Sequence, residues 1–528
     1  MSDYKSNPYT STLNSIYSLN DDNLNILNDE QIKDSFLIKL YYYYIHKGYY
    51  NIISTQIVNI IITLFLYFFL LFLFNCIDYN GLINLEDKDN FSNYINWSNM
   101  LRLDVVGWAF FTILILFILC KIISLIDDIF TFLKIRKFYN HRLYITDSQL
   151  ISIDWETIVL KIKEHTECRH INVYTVASKV MAKDNFLISL INNNVIKFNY
   201  MTKLMEWNII FCLINTIYKN NKIDIDLLSD EEKLNKTFKI KLKAVSIVNF
   251  IFMPFIIIFI LFYNIFKYGE LFYNNPEAIS SRNWTLVSKW KFREYNELYH
   301  LFHERLNISN KLANDYVNQF PLKILETFSR LILFISSSIF LLFLVLTIIN
   351  ENLLINLNIT PSRPVLWYIG ILGSIIALSR NLIKNRLIYY PKEKMDEIKK
   401  IINYIPDEWI ENSHKIYIKN KFIKLFEYSI VSAIKEFLFI LYTPIELWKL
   451  TYKTEDIVDF YVNNTIYENK IGYKCADAIF NKNKDYEYDT DIKPKIKQSF
   501  LNFTKKHPNW VDNDFYSNSL QVNIRNQF

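Results

Sequence analysis

Only seven of the 528 residues are glycine. No Gly-rich phosphate loop, no Gly-x-Ser-x-Gly elbow and no dinucleotide fingerprint is present, so an ATP-driven pump is not expected. Cysteine is scarce as well. Cys76, Cys120, Cys168, Cys212 and Cys475 stand far apart and are odd in number. They imply neither a disulfide framework nor a metal site, and they suit a chain with most of its mass in a reducing compartment. His-Glu-x-x-His is missing, and no cofactor is expected. A net charge of +6, without a polybasic tail or an aromatic-basic RNA-binding signature, argues against nucleic acid as a partner. Residues 1–52 are polar and acidic, with no short apolar core behind a basic start, and predict no cleavable signal peptide.

What the chain has in abundance is apolar and aromatic residues: 51% hydrophobic and 17% aromatic, with 41 Phe and 37 Tyr. With 21% charged residues alongside, the apolar ones must be clustered. Asn, Ile, Lys and Tyr are used in the manner of an AT-rich coding bias, so Asn-rich runs carry little functional weight.

A membrane helix needs about 20 mostly apolar residues. Gly48 to Ile77 holds no charge, which places a first span at 53–74. Val105 to Ile126 is broken only by Lys121, which can snorkel from near an end. Leu331 to Asn350 is free of charge, and Val365 to Ile383 holds only Arg380 near its exit. A fifth run, 244–266, is apolar but has Pro254 at its middle and Lys or Arg on both flanks. Basic residues stay on the cytosolic side. The economical reading is a re-entrant hairpin or interface-embedded helix broken at Pro254. A shorter run around Pro444, 437–448, reads as a second re-entrant piece.

Four spans put both termini on one side, the cytosolic one. Loops 75–104 and 350–364 are poor in Lys and Arg and are expected to be lumenal. They carry the glycosylation sequons Asn90-Phe91-Ser92, Asn96-Trp97-Ser98 and Asn358-Ile359-Thr360. The organisation is then a cytosolic region 1–52, a transmembrane hairpin 53–126, cytosolic helices 127–243, the re-entrant helix 244–266 and cytosolic helices 267–329. A second hairpin at 330–383, a cytosolic helical region 384–510 and a disordered tail 511–528 complete it. The fold class is all-α: a polytopic membrane protein with four transmembrane helices, two re-entrant membrane helices and a helical cytosolic domain. Trp155, Ile158, Val159 and Ile162 recur at helical spacing, 184–198 reads as helix, Asn turn and restart, and 203–218 as a helix with an apolar face.

Three Glu-x-x-His pairs occur, at Glu167/His170, Glu297/His300 and Glu411/His414. Such pairs build di-iron bundles, but the additional bridging glutamates are not identifiable; the alternatives are salt-bridged helix surface and an interhelical polar network. In Arg293–His300 the i,i+4 pairs Arg293/Glu297 and Asn296/His300 predict a helix with polar ladders. It either locks onto neighbours near the membrane or lines a hydrophilic path for headgroups. Arg380 either snorkels to phosphates or faces protein or water. Ser336, Ser337 and Ser338 serve helix packing or a polar lining.

The run Trp290-Lys291-Phe292-Arg293-Glu294-Tyr295-Asn296-Glu297-Leu298-Tyr299-His300-Leu301-Phe302, followed by Arg305-Leu306, resembles the signature of the autophagy-related protein nine family. Cys76-Ile77-Asp78-Tyr79, Lys183-Asp184-Asn185-Phe186, Glu206-Trp207-Asn208, Gln319-Phe320-Pro321, Tyr404-Ile405-Pro406 and Ile457-Val458-Asp459-Phe460 are similar too, and in family order. The chain departs from the family at Ala177, Val180 and Ala182, where Arg is common. It departs again at Tyr273, Asn274 and Asn275, where charge is common before Pro276. Asp22 with Ile26-Leu27 has the form of an acidic-dileucine sorting signal.

The resemblance implies four spans, two re-entrant helices and an interlocked homotrimer with a central pore. It implies ATP-independent scrambling of phospholipids on Golgi- and endosome-derived cytoplasmic vesicles and at the preautophagosomal structure, where lipid arrives from the autophagy-related protein two lipid-transfer protein. Arg293, Asn296, Glu297, His300 and Arg380 are the lipid-path candidates. The alternatives are an ion or solute channel and a membrane scaffold that recruits autophagy factors.

Overall fold

The computed structural model describes residues 34–83, 91–100, 102–165, 171–219, 221–274, 281–320, 323–350, 353–360, 363–383, 389–468, 471–480, 493–508, 510 and 522–523. Asn90, Cys168, the pair Glu167/His170, the Asp22 and Ile26-Leu27 motif, Pro276 and nearly all of the tail 511–528 lie outside them.

The chain is mostly helical. Helix α1 (Asp34–Ile45) turns sharply into α2 (Tyr49–Leu71), which a π-turn extends to Cys76. The turn is made at Gly48, with φ of 110°. A Cβ there would meet the Asp147 side chain at 2.9 Å, so glycine is required on both counts. Helix α3 (Val105–His141) carries the second apolar run and continues well past it. Its far end, with Phe132, Ile135, Phe138 and Tyr139, is buried in the helical body. Helices α4 (Trp155–His165), α5 (Val173–Val180), α6 (Ala182–Asn192) and α7 (Lys203–Ile209) follow. In α4 the buried residues are the four at helical spacing, Trp155, Ile158, Val159 and Ile162. The helix restart expected after the Asn turn is absent: Asn194 takes φ of 58°, and residues 195–200 stay irregular.

Helix α8 (Glu231–Asn274) is one unbroken element of 44 residues with Pro254 inside it. This corrects the expected break. Proline removes one hydrogen bond and costs about 3 kcal/mol, yet leaving the helix in an apolar setting would strand several N–H and C=O groups at once. Continuing is the cheaper course. After α9 (Leu286–Phe292) and α10 (Tyr299–Asn318), the long α11 (Lys323–Ile349) pairs with α12 (Val365–Leu382). Then come α13 (Pro391–Ile401), α14 (Ile416–Ile423), α15 (Ser429–Ile440), α16 (Thr443–Leu450), α17 (Thr454–Asn463) and α18 (Pro494–Lys506). Pro444 lies in the first turn of α16, where a missing N–H costs nothing. The break of this segment is the turn just before it, at Leu441 and Tyr442.

Strands are few. Strand β1 (Arg282–Trp284) pairs antiparallel with β2 (Phe426–Tyr428), and β3 (Thr465–Glu468) with β4 (Gly472–Cys475).

Tyr49–Cys76, Glu231–Phe266 and Glu326–Ile349 are long and apolar enough to cross a membrane, and Val365–Arg380 is a shorter apolar helix. Aromatic rings hold some of them together. Tyr67 of α2 stacks on Phe111 of α3 at 5.7 Å, and Phe69 of α2 meets Phe266 of α8 edge-on at 5.3 Å. Their outer faces stay apolar and exposed, as at Phe65, Phe250 and Phe334. In water such contiguous apolar faces would drive association, so they mark a lipid-facing surface.

The remaining helices bury two cores. The larger one gathers α1, the end of α3, α4 to α7, the start of α8, α17 and α18. The smaller one gathers Trp284, Phe292 and α10, α13 and α14.

Candidate functional site

The segment 290–306 runs between those two cores. Trp290, Tyr295 and Leu298 sit in the larger, while Phe292, Phe302 and Leu306 sit in the smaller. The expected helix across it does not form. Residues 293–298 are a turn, with Asn296 at φ of 56°, and α10 starts only at Tyr299. Asn tolerates this left-handed conformation better than most residues. The turn removes the i,i+4 ladders Arg293/Glu297 and Asn296/His300 and lets each side chain find a distant partner.

Arg293 pairs with Asp184 of α6 at 2.9 Å, and its guanidinium lies 5.2 Å from the Trp290 ring centre. Asn296 exchanges two hydrogen bonds with Asn185: its N–H donates to Asn185 Oδ1 at 3.0 Å, and Asn185 Nδ2 donates to Asn296 Oδ1 at 2.9 Å. The Asn296 amide also donates to the Ala478 carbonyl at 2.7 Å. Glu297 accepts two bonds from Arg305, at 2.6 and 2.8 Å, in the bidentate geometry that makes such pairs strong. Arg305 further donates to the carbonyls of Ile401 and Phe292, at 3.0 and 2.9 Å. Glu294 accepts from Asn403 at 2.7 Å and from Asn502 of α18 at 2.8 Å. Burial holds its carboxyl above the usual range, against the opposing pull of Arg305. His300 shares a 2.9 Å hydrogen bond between Nδ1 and the Tyr41 hydroxyl, and burial lowers its pKa to about 4.

A second buried node adjoins the first. Asp477 accepts from Asn193 at 2.9 Å and from the Tyr295 hydroxyl at 3.3 Å, is bonded by Ser189, and meets Lys493 at 3.3 Å. Lys474 is buried against Glu468, Tyr174 and Ser178. Together these bonds fasten α1, α6, α18 and the segment after β4 around one turn, and the strand pair β3–β4 to α5.

The structure thus brings Arg293, Asn296, Glu297 and His300 together, with Arg293, Asn296 and Glu297 buried. Arg380 stands elsewhere, exposed near the end of α12. Asn96 and Asn358 are exposed. Glu297 and His300 face different partners, and no group of three or more His, Cys, Asp or Glu among the described residues is placed to hold a metal. Ser337 and Ser338 donate to the Phe334 carbonyl of their own helix at 3.0 and 2.8 Å, while Ser336 is buried. Sequence reasoning missed Asp184, Asn403, Asn502 and Asp477 as members of the node. The density of polar residues at 293–300 flagged one half of it; of the other half only the run Lys183-Asp184-Asn185-Phe186 had been met, as part of the family resemblance.

The lysines ahead of the apolar part of α8 are engaged with protein. Lys239 pairs with Glu455 at 2.9 Å, Lys241 donates to Thr216 at 3.0 Å, and Lys243 lies 5.6 Å from the Trp448 ring centre. Ser246 of α8, buried, donates to the Pro444 carbonyl at 2.7 Å and pins α16 to the long helix.

Long apolar helices with exposed outer faces, rooted in a helical body that one polar turn holds together, define a helical membrane protein. The family model for Autophagy protein ATG9 matches residues 29–481. The chain belongs to that family of autophagy proteins. It is 31% identical over 494 residues to Autophagy-related protein 9 of Kluyveromyces lactis, a match covering 88% of this chain and 54% of that protein. It is 29% identical over 546 residues to Autophagy-related protein 9 of Dictyostelium discoideum, covering 94% and 77%. The cryo-EM structure of Schizosaccharomyces pombe Atg9 superposes with a TM-score of 0.64 at 28% identity, covering 85% of this chain and 98% of that one. The chain spans about half the length of several curated relatives, 54% and 53% for those of Kluyveromyces lactis and Eremothecium gossypii.

Proposed function

We propose that this protein is an ATP-independent phospholipid scramblase of autophagy vesicles, which evens lipid between leaflets while the autophagosome membrane expands. Membership of the Atg9 family carries the reading. The physical problem fits the molecule. A headgroup must cross about 30 Å of hydrocarbon, and moving its polar atoms into an apolar phase is costly. Protein surfaces that offer polar partners at membrane depth lower that barrier, and the direction of net flow follows the concentration difference.

In this reading four spans cross the bilayer, both termini are cytosolic, and loops 75–104 and 350–364 are lumenal. The long helix α8 and the α15–α16 pair, joined at Ser246 and Pro444, supply the two further membrane-associated elements. The hub at Arg293, Asn296, Glu297 and His300 holds the cytosolic helices in place beside the headgroup path, and Arg380 meets phosphates at the interface. Three copies associate through the apolar outer faces of the α11–α12 hairpin, exposed at Leu341 and Leu342. Such trimers sit on Golgi- and endosome-derived vesicles and at the preautophagosomal structure membrane, and take lipid from the autophagy-related protein two lipid-transfer protein.

The test is reconstitution into liposomes carrying a headgroup-labelled fluorescent lipid, followed by an impermeant reductant. Scrambling bleaches both leaflets. Bleaching that stops at the outer leaflet favours the scaffold reading. Ion conductance without lipid exchange favours a channel.

A further inference from the structure

Arg282 of β1 is an unusual cation. It is only 8% exposed. Its guanidinium lies over the ring of Tyr428 of β2, 3.8 Å from the ring centre. Its Nη1 is buried and meets no acceptor among the described residues. Burying an ion without a counter-ion costs several kcal/mol, so folds rarely retain one without a use. The neighbouring carboxylate, Glu427, does not answer it. In the ladder Arg282 is paired with Tyr428 and Asn283 with Glu427, so Glu427 points to the opposite face. There it is bonded to Lys435 of α15.

The surroundings are rigid. The Ser429 N–H donates to the Ser281 carbonyl at 2.9 Å, the Asn283 amide donates to Ser429 Oγ at 2.7 Å, and the Thr285 N–H donates to the Leu425 carbonyl at 3.0 Å. Tyr428, which carries the guanidinium, is also the N-cap residue of α15, and no side chain caps that helix. The first-turn N–H groups of a helix lack intrahelical partners and attract anions; that of Ser429 is already given to Ser281, which leaves those of Ile430 and Val431. Arginine and helix N-terminus therefore converge on one point.

The level of that point follows from α15 itself. Ile430, Ile434 and Leu438 are exposed at four-residue spacing, with Val431 beside them. This apolar stripe begins two residues after Tyr428 and runs to the end of the helix. Exposed stripes of this kind sit in the acyl region of one leaflet. The helix start, and Arg282 with it, then lies where headgroups are.

We propose that Arg282, stacked on Tyr428 at the start of α15, binds the phosphate of a phospholipid headgroup. The planar guanidinium suits a phosphate better than a lysine would. The inference deepens the scramblase reading and rests on it for its use, since a fixed phosphate contact at the leaflet surface is where a headgroup path begins.

The experiment uses the full chain in phosphatidylcholine vesicles with a trace of phosphatidylethanolamine carrying a photoreactive group on its headgroup. Cross-linked peptides are mapped by mass spectrometry, and lipid exchange is measured on the same vesicles. The wild-type chain should be labelled within 281–284 or 427–432. Arg282→Gln should cut that label about tenfold, the loss of one charge-assisted contact. Arg282→Lys, which keeps the charge, and Tyr428→Leu, which keeps the cation but removes its platform, should each retain part of it. Equal melting profiles identify the folded variants; if Arg282→Gln fails to fold, Arg282→Lys and Tyr428→Leu decide by the same label. An unlabelled wild-type segment, or label unchanged in the folded variants, overturns the proposal. So does loss of label to millimolar inorganic phosphate, which would make the free ion the ligand. Label that depends on Arg282 in a protein that exchanges no lipid upholds the site and removes the scramblase reading instead.

Discussion

Replacing Arg305 by methionine tests whether one turn really holds two cores together. The guanidinium makes a bidentate pair with Glu297, lies 3.6 Å from Glu294 and donates to two carbonyls, all inside the protein. Methionine fills similar space without charge. It leaves two carboxylates buried within reach of one another and two carbonyls short of a donor. Breaking a buried pair from one side costs about 3–5 kcal/mol, and the orphaned carbonyls contribute to that loss. For a large chain about 2 °C is lost per kcal/mol, so the melting midpoint in detergent should fall by about 6–10 °C. Neutralising both acids in the same background, with Glu294→Gln and Glu297→Gln, should restore part of the loss, because uncompensated charge is then gone. The readout is the melting curve of the purified protein, followed by tryptophan emission at matched scan rates. A midpoint for Arg305→Met within about 1 °C of wild type would refute the reasoning, as would a triple variant less stable than the single one.

Other outcomes follow from the same structure. His300 is held neutral in the fold with its pKa lowered to about 4, while the unfolded value is 6.5. The stability this difference reflects is complete above the unfolded value and is lost as pH falls toward the folded one. From pH 7.5 to 5 the loss is about 2 kcal/mol, and a His300→Gln chain should show a correspondingly flatter stability profile in chemical denaturation. Asn296→Val should destabilise more than Asn296→Gly, since both lose the amide bonds to Asn185 and Ala478 but only valine clashes at φ of 56°; thermal unfolding ranks them. Pro254→Ala restores a helical hydrogen bond in α8 and should raise the melting midpoint without changing the accessibility of single cysteines introduced along 247–266. Asn96, exposed with its Oδ1 bonded to Ser98 at 2.6 Å, should carry a glycan in cells; Asn96→Gln should remove a glycosidase-sensitive gel shift.

The apolar helices were legible because their signal is local: some twenty residues without charge leave few alternatives. The amphipathic pattern of Trp155, Ile158, Val159 and Ile162 is equally local, and those residues are the buried ones. The hub was half legible. Its dense run of Arg, Glu, Asn and His announced buried polar contacts, but the i,i+4 spacing suggested partners within one helix. The partners lie 109 residues away in Asp184 and 208 away in Asn502. A single left-handed residue, Asn296, undoes the periodicity, and asparagine is common enough here that nothing marks it. Strand β1 joins β2 across more than 140 positions with three residues each, too short for alternation to show. Pro254 misled for a physical reason. Its penalty is known, but the larger cost of ending a helix in an apolar setting belongs to the surroundings and not to the residue.

The continuity of α8 has a mechanical consequence. At 1.5 Å per residue its 44 residues make a rod of about 66 Å, more than twice the thickness of bilayer hydrocarbon. One end is clamped by Leu234, Phe238 and Leu242 in the larger core, and the other carries Phe262 and Phe266 against α2. A stiff lever of that length converts a few degrees of tilt at its greasy end into a displacement of several ångströms at its rooted end. Thinning or bending of the surrounding sheet of lipid would therefore be felt as torque by the water-side helices, with no messenger in between.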